Sequence, residues 1–483
     1  MTAVAAATLS VPQAAHAGVC DISASTNANT NRVAIQACLD SASGAVAQLG
    51  SASYPIDRYL SLGDSDQLVG SGATLILPAA PVSGQSMVRF AGSYATVAGL
   101  VIDANHKLNE NGIMVVFEST AGDGNLLSGN WIEHGSDLTL DQQPIGPRPD
   151  RSLNGAYGVS IECTTCTGNL VQDNYIVEDY IGITFKGASS AARNVADGNT
   201  IADNQCDPAS FAGFGVLQNN VIHDNGARCK DAAGGGVYAN GWVDGVAYDH
   251  GGEIVGNDIS NTCGHGLDLL NNHDFLISNN TISHPGTSLD DPNHVFCKGG
   301  DGIFMANMRN STVSGNHVHN DASGNSKNMR VYGTAGGMQD TGQANWSDLP
   351  NGGYTLMAFT LVWTHDASHP TSHNTITNND LHAYCDISNC VGVAAFIGRG
   401  TGYAGDNVTS GGSTWNLITG TRVAGSEYRT RRLGRNWWAL NNPSCPNAAA
   451  WSANGCNDDD WHYATGASRN DGAYSATDLY NYS

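Results

Sequence analysis

An all-β solenoid, a right-handed parallel β-helix, is the fold class this sequence predicts, and three features predict it. The first is a phrase that occurs seven times between residues 128 and 318: a small or polar pair, an asparagine, any residue, then Ile or Val. The copies read SGNWI, QDNYI, DGNTI, QNNVI, VGNDI, SNNTI and SGNHV, with asparagines at Asn130, Asn174, Asn199, Asn220, Asn257, Asn280 and Asn316. A fixed phrase at a period in the low twenties marks stacked structural repeats. The gaps are 44, 25, 21, 37, 23 and 36 residues, so insertions separate some copies and the first gap has room for a further coil. At such a turn the asparagine amide is suited to bond along an internal ladder, with the β-branched residue after it pointing inward. The second feature is a set of glycine-led segments with alternating side chains: YGVSIE (157–162), IGITFK (181–186), GGVYAN (235–240), HGLDLL (265–270) and DGIFMA (301–306). The third is composition: 59 glycines and only 13% charged residues suit short strands and tight turns rather than long charged helices.

Taken in order along the chain, residues 1–17 are rich in Ala and Val and end Ala15-His16-Ala17 before Gly18. That is an A-x-A cleavage pattern, and the segment reads as the tail of a secretory signal without its positive n-region. An extracellular or periplasmic location follows as the expectation. The segment NTNRVAIQACLDSA (29–42) places Val33, Ile35, Cys38 and Leu39 at helical spacing after an Asn/Thr cluster able to cap it, so a short amphipathic helix is expected at the N-terminal end. Residues 18–405 are expected to form the coil. With a side-chain period of two, Val159, Ile161, Ile183, Phe185, Val237, Ala239, Leu267, Leu269, Ile303 and Met305 face inward. Ser160, Glu162, Thr184, Lys186, Tyr238, Asn240, Asp268 and Phe304 then face outward. The insertions 135–156, 226–234, 285–300 and 320–353 all follow an asparagine phrase, so they are expected along one edge, walling a groove beside those outward residues. Beyond about 405 the repeat fades. Residues 422–438 carry five of the 21 Lys and Arg together with Trp437 and Trp438, and 406–483 are expected as an irregular C-terminal cap on the coil.

The formal charge of −23 disfavours nucleic acid and anionic membrane as partners, and weighs mildly against polyanionic glycans. No stretch approaches the roughly 20 apolar residues of a membrane helix. Twelve cysteines fall into neighbours along the chain: Cys20/Cys38, Cys163/Cys166, Cys206/Cys229, Cys263/Cys297, Cys385/Cys390 and Cys445/Cys456. In an exported chain an even count reads as disulfides, and proximity suggests, without proving, these pairings. Nothing in the sequence predicts the oligomeric state.

The capping helix, the Tyr54-x-Ile56 strand and the GSGATLIL segment that follows (70–77) together resemble the start of the pectate-lyase-like superfamily of β-helix proteins. The resemblance covers about residues 29–104 by local pattern and extends to about 400 through the repeats. It implies a polysaccharide or oligosaccharide substrate cleaved in the groove. Residue chemistry has to choose the reaction. Hydrolysis needs two carboxyl groups across the bond, one protonated and one ionised. Glu162 and Asp268 are the candidate pair, with His265 and Asp301 in support and Asp291 in a groove-side insertion. Tyr238 is the candidate sugar platform, with Asn240 and Arg309 as further binding residues. Gly264-His265-Gly266, Asp290-Asp291 and Gly300-Asp301-Gly302 echo polygalacturonase-like motifs in the wrong order, so those roles are not carried over. The alternative is β-elimination on a uronate glycan, with Lys186, Tyr238 and the arginines as candidates. A non-catalytic glycan-binding coil is the other. No cofactor is expected and no metal ligands are assigned, although an acid-rich groove suits calcium. The histidines weighed for a metal, His250, His265, His273 and His284, lack ligand spacing.

Overall fold

A computed structural model describes residues 18–80, 86–108, 112–135, 156–187, 190–227, 236–243, 246–247, 250–286, 300–322, 354–362, 374–385, 390–397, 417–419, 422–425 and 473–475. The chain winds into a parallel β-helix, as the repeats predict. In each of its middle coils two short strands flank the asparagine turn and a third strand follows. Leu170–Gln172, Tyr175–Val177 and Ile181–Phe185 make one such coil. The third strands stack into an 11-stranded sheet running from Leu60–Leu62 to Cys390–Ile397, with parallel pairing at every step. The paired short strands build the other large sheet.

The asparagines of the repeated phrase do form an internal ladder. Each side-chain amide donates to the next asparagine's Oδ1, from Asn130 to Asn174 and on through Asn199, Asn220, Asn257, Asn280 and Asn316, at 2.9–3.0 Å. An eighth rung, Asn379, accepts from Asn316 at 2.9 Å. Its phrase ends in Leu381 rather than Ile or Val, which is why the repeat pattern passed over it. The wide first gap hides no extra coil: Trp131–Glu133 pairs directly with Tyr175–Val177.

The ten residues predicted to face inward are all fully buried in one continuous apolar core. Their neighbours depart from the expectation in part. Ser160 is 1%, Thr184 4% and Asp268 8% exposed; Ser160 lies in register between the larger Val116 and Thr184, and Asp268 between the larger Tyr238 and Phe304. The leading glycines have a steric purpose. A Cβ on Gly182, Gly266 or Gly302 would press on the carbonyl oxygen of Pro208, Gly302 or Ala358 in the next coil.

The helix Ala28–Leu39 begins at Asn27, whose side chain accepts the Thr30 N–H at 2.9 Å. Ile35, Cys38 and Leu39 are buried, whereas Val33 points to solvent at 47% exposure, off the predicted apolar face. Disulfides join Cys20 to Cys38 and Cys163 to Cys166, and Cys206 and Cys263 are disulfide-bonded too. Residues 1–17, most of the long insertions, Asp291 and nearly all of the expected C-terminal cap lie outside the described residues.

Candidate active site

On the outward side of the 11-stranded sheet one column runs in register through Arg89, Val116, Ser160, Thr184, Ser210, Tyr238, Asp268 and Phe304. The predicted site residues that are described, Arg309 excepted, divide between two places along it.

The first lies toward the N-terminal coils. Lys186 Nζ meets Glu162 Oε1 at 2.6 Å, and Arg89 Nη1 meets Glu118 Oε1 at 3.0 Å while its guanidinium lies 3.6 Å over the Tyr59 ring. Arg89, Glu118 and Glu162 line a cavity of about 440 Å³ together with Ser86, Val116 and Ser119. Both pairs keep part of their surface in water, where ion pairs contribute little to stability.

The second gathers Tyr238, His265, Asp268 and Asp301, with Asp207 added. Tyr238 and Phe304 flank Asp268 in register. Burial, reinforced by the charges of Asp207 and Asp301, pushes the Asp268 carboxyl up to about 8, so it holds its proton at neutral pH. His265 Nδ1 accepts the backbone N–H of Asp301 at 2.9 Å, which leaves the ring proton on Nε2. Its ring stacks on Phe304 at 4.8 Å, and burial drives its pKa down to about 4, so the imidazole is neutral. Tyr238 is also raised, chiefly by burial, against the opposing effect of its bond with Asn240. That bond ends a relay of amides: Asn307 donates to Asn271 at 2.6 Å, Asn271 to Asn240 at 3.1 Å, and Asn240 to the Tyr238 hydroxyl at 2.9 Å.

The structure therefore unites four predicted residues, His265, Asp268, Asp301 and Tyr238, with Asn240 alongside. It does not unite Glu162 with Asp268. Four strand steps separate them, roughly 19 Å at the usual 4.7–4.9 Å spacing, against about 5–9.5 Å for a glycosidase pair. Lys186 sits with Glu162, two strands away from Tyr238. Arg309 lies in the turn past Ile303–Ala306, bridged by backbone to His273. Asp207 went unpredicted because no motif surrounds it. Its signal is positional: Asp207 precedes Pro208 as His265 precedes Gly266 and Asp301 precedes Gly302, at the same corner of their coils, with the coil of Val237–Asn240 between the first two. Among the described residues, the histidine and carboxylate groups close enough to share an ion lie elsewhere, around His134.

No protein family model matches this chain, and no curated protein does. Solved structures are similar to it at low identity. The Dettilon tailspike protein (gp208) shares 16% identity over 83% of this chain and 68% of its own, with a TM-score of 0.49. The A-module of the mannuronan C-5 epimerase AlgE6 of Azotobacter vinelandii shares 15% over 81% and 88%, with a TM-score of 0.45. The alginate lyase AlyF-OU02, in complex with G6, shares 13% over 85% and 80%, with a TM-score of 0.39. The strand pairing itself establishes the architecture: this chain is a parallel β-helix, the fold that the resemblance in its sequence implied.

Proposed function

We propose that this protein hydrolyses a polysaccharide in the groove over its 11-stranded sheet, with Asp268 as the acid. The observation that carries the reading is a carboxyl group held protonated near neutral pH beside two other carboxyl groups, Asp207 and Asp301. Glycoside hydrolysis needs that inequality. Asp268 gives its proton to the leaving glycosidic oxygen, and the second carboxyl role, attack on the anomeric carbon or activation of water, falls to Asp207 or Asp301. His265, neutral and stacked on Phe304, holds the Asp301 backbone in place, and the Tyr238 ring supplies an apolar face for the sugar. Of the elimination candidates, Tyr238 is the one beside Asp268, and the upward shift of its pKa opposes a role as base, while Lys186 is held by Glu162 two strands away. The charge of −23 favours a neutral glycan over a polyuronate. Export to an oxidising compartment belongs to the same reading, supported by the absence of free cysteines among the described residues.

The test incubates the purified protein with neutral and uronate-containing polysaccharides, following reducing ends and the ultraviolet absorbance of unsaturated products together. Reducing ends without new absorbance are expected. Asp268→Asn should lower kcat by roughly 10²–10⁴-fold, while Glu162→Gln keeps most of it. New absorbance on a uronate substrate would replace hydrolysis with elimination. Binding with neither signal would make the protein a glycan-binding coil.

A further inference from the structure

Five ionisable side chains from three successive coils meet at the corner that leads into the 11-stranded sheet: Asp103, His106, Glu133, His134 and Glu178. His106 stands 28 residues before His134, and Glu178 stands 44 residues after it, so no sequence spacing announces the group. Stacking brings it together. His106, His134 and Glu178 each adopt a left-handed backbone at the same turn, with φ of 56°, 63° and 56°. The His106 N–H donates to the His134 carbonyl at 3.0 Å, which holds two of these turns in line.

The arrangement within the group is that of a ligand set with its support. His134 Nδ1 lies 2.8 Å from Asp103 Oδ1, which orients the ring and leaves Nε2 directed at Glu178 Oε2, 3.7 Å away. The His106 and His134 rings are 4.9 Å apart between centroids. One donor atom from each of His106, His134 and Glu178 falls within 4.8 Å of the others. Around a tetrahedral zinc ion with bonds of about 2.0–2.1 Å, donors stand about 3.3 Å apart, so rotamer adjustment alone closes the set. A carboxylate behind the histidine is the usual second partner of a metal-bound imidazole. All of these residues are half-buried, within reach of an ion from solvent.

We infer that His106, His134 and Glu178 bind a zinc-class divalent cation, with Asp103 positioning His134. Two imidazoles and one carboxylate select zinc over calcium, which prefers oxygen ligands alone. Its three coils lie three to five strand steps from Asp268, so the site staples coils together and takes no part in the proposed hydrolysis.

Calorimetric titration of the chelator-stripped full chain with zinc chloride tests this. One saturable zinc site is expected, accompanied by a rise in melting temperature, with calcium chloride producing neither. His134→Asn keeps a residue that tolerates the left-handed backbone and should abolish that site, as should Glu178→Gln. Asp103→Asn should weaken it about 10–100-fold. Because His317, His319 and His382 also lie close together, His319→Ala is the control and should leave the site intact. Melting of the zinc-free variants at the wild-type temperature shows that the fold has survived. Absence of saturable zinc binding, equal binding by wild type and His134→Asn, or preference for calcium would each overturn the assignment.

Discussion

Asp268 is the side chain on which the proposed hydrolysis turns, and it makes a testable claim about pH. In the folded protein it keeps its proton up to about 8, against a reference value of 3.8. Between those values the native state binds more protons than the unfolded chain. The stabilisation is therefore complete below about pH 4 and is lost as pH rises toward 8. His265 acts in the opposite sense over a lower window. It stays neutral in the fold down to about 4 while the unfolded residue charges below 6.5, so it weakens the fold as pH falls through that range. Urea midpoints should therefore fall from pH 6.5 to pH 8 in the wild type and fall less in Asp268→Asn. Parallel falls in both proteins would show that Asp268 ionises normally. This behaviour was not legible in the sequence. Alternation put Asp268 on the outward face correctly, but its burial depends on Tyr238 and Phe304 from neighbouring coils.

At the level of elements, the asparagine turns and leading glycines explain why the repeat phrase looks as it does. Each asparagine closes its own turn and the next one at once. Asn257 Oδ1 accepts both the backbone N–H and the side-chain amide of Asn220, and its own amide reaches the Leu217 carbonyl at 2.9 Å. Asn257→Ala leaves these buried groups without partners and should cost about 1–3 kcal/mol in equilibrium urea unfolding. A change below about 0.5 kcal/mol would mean that water replaces the ladder at little cost. The same scale explains the Gly264-His265-Gly266 and Gly300-Asp301-Gly302 triplets. Their glycines let adjoining coils approach, since a Cβ on Gly300 would meet the backbone of Gly264. The triplets were readable as strings, but their steric purpose required the stacking.

For the whole molecule, stability is approximately a sum of coils and the interfaces between them, so unfolding can start where the stack ends. The Cys20–Cys38 bridge ties the first strand to the helix that packs beside it, closing a loop with a sequence separation of 18. Replacing both cysteines with serine should lower stability by about 2–4 kcal/mol, read from urea unfolding under non-reducing conditions. Equal stability of the two proteins would mean that the N-terminal segment unfolds independently of the rest.

By itself, the sequence determined the coil, its internal asparagine ladder, the inward and outward alternation of its strands and the Cys20–Cys38 neighbourhood. These are local properties: a period of two, a repeated turn, and cysteines close along the chain. Tertiary structure alone decided which chemical groups meet. Coil length varies with every insertion, so residues 21 to 44 positions apart come to lie one strand step from each other, and no fixed spacing reports that contact. Glu162 and Asp268 looked like a pair because both face outward, and stacking set four strand steps between them. The same stacking brought Asp207 toward Asp268, and His106 and Glu178 toward His134.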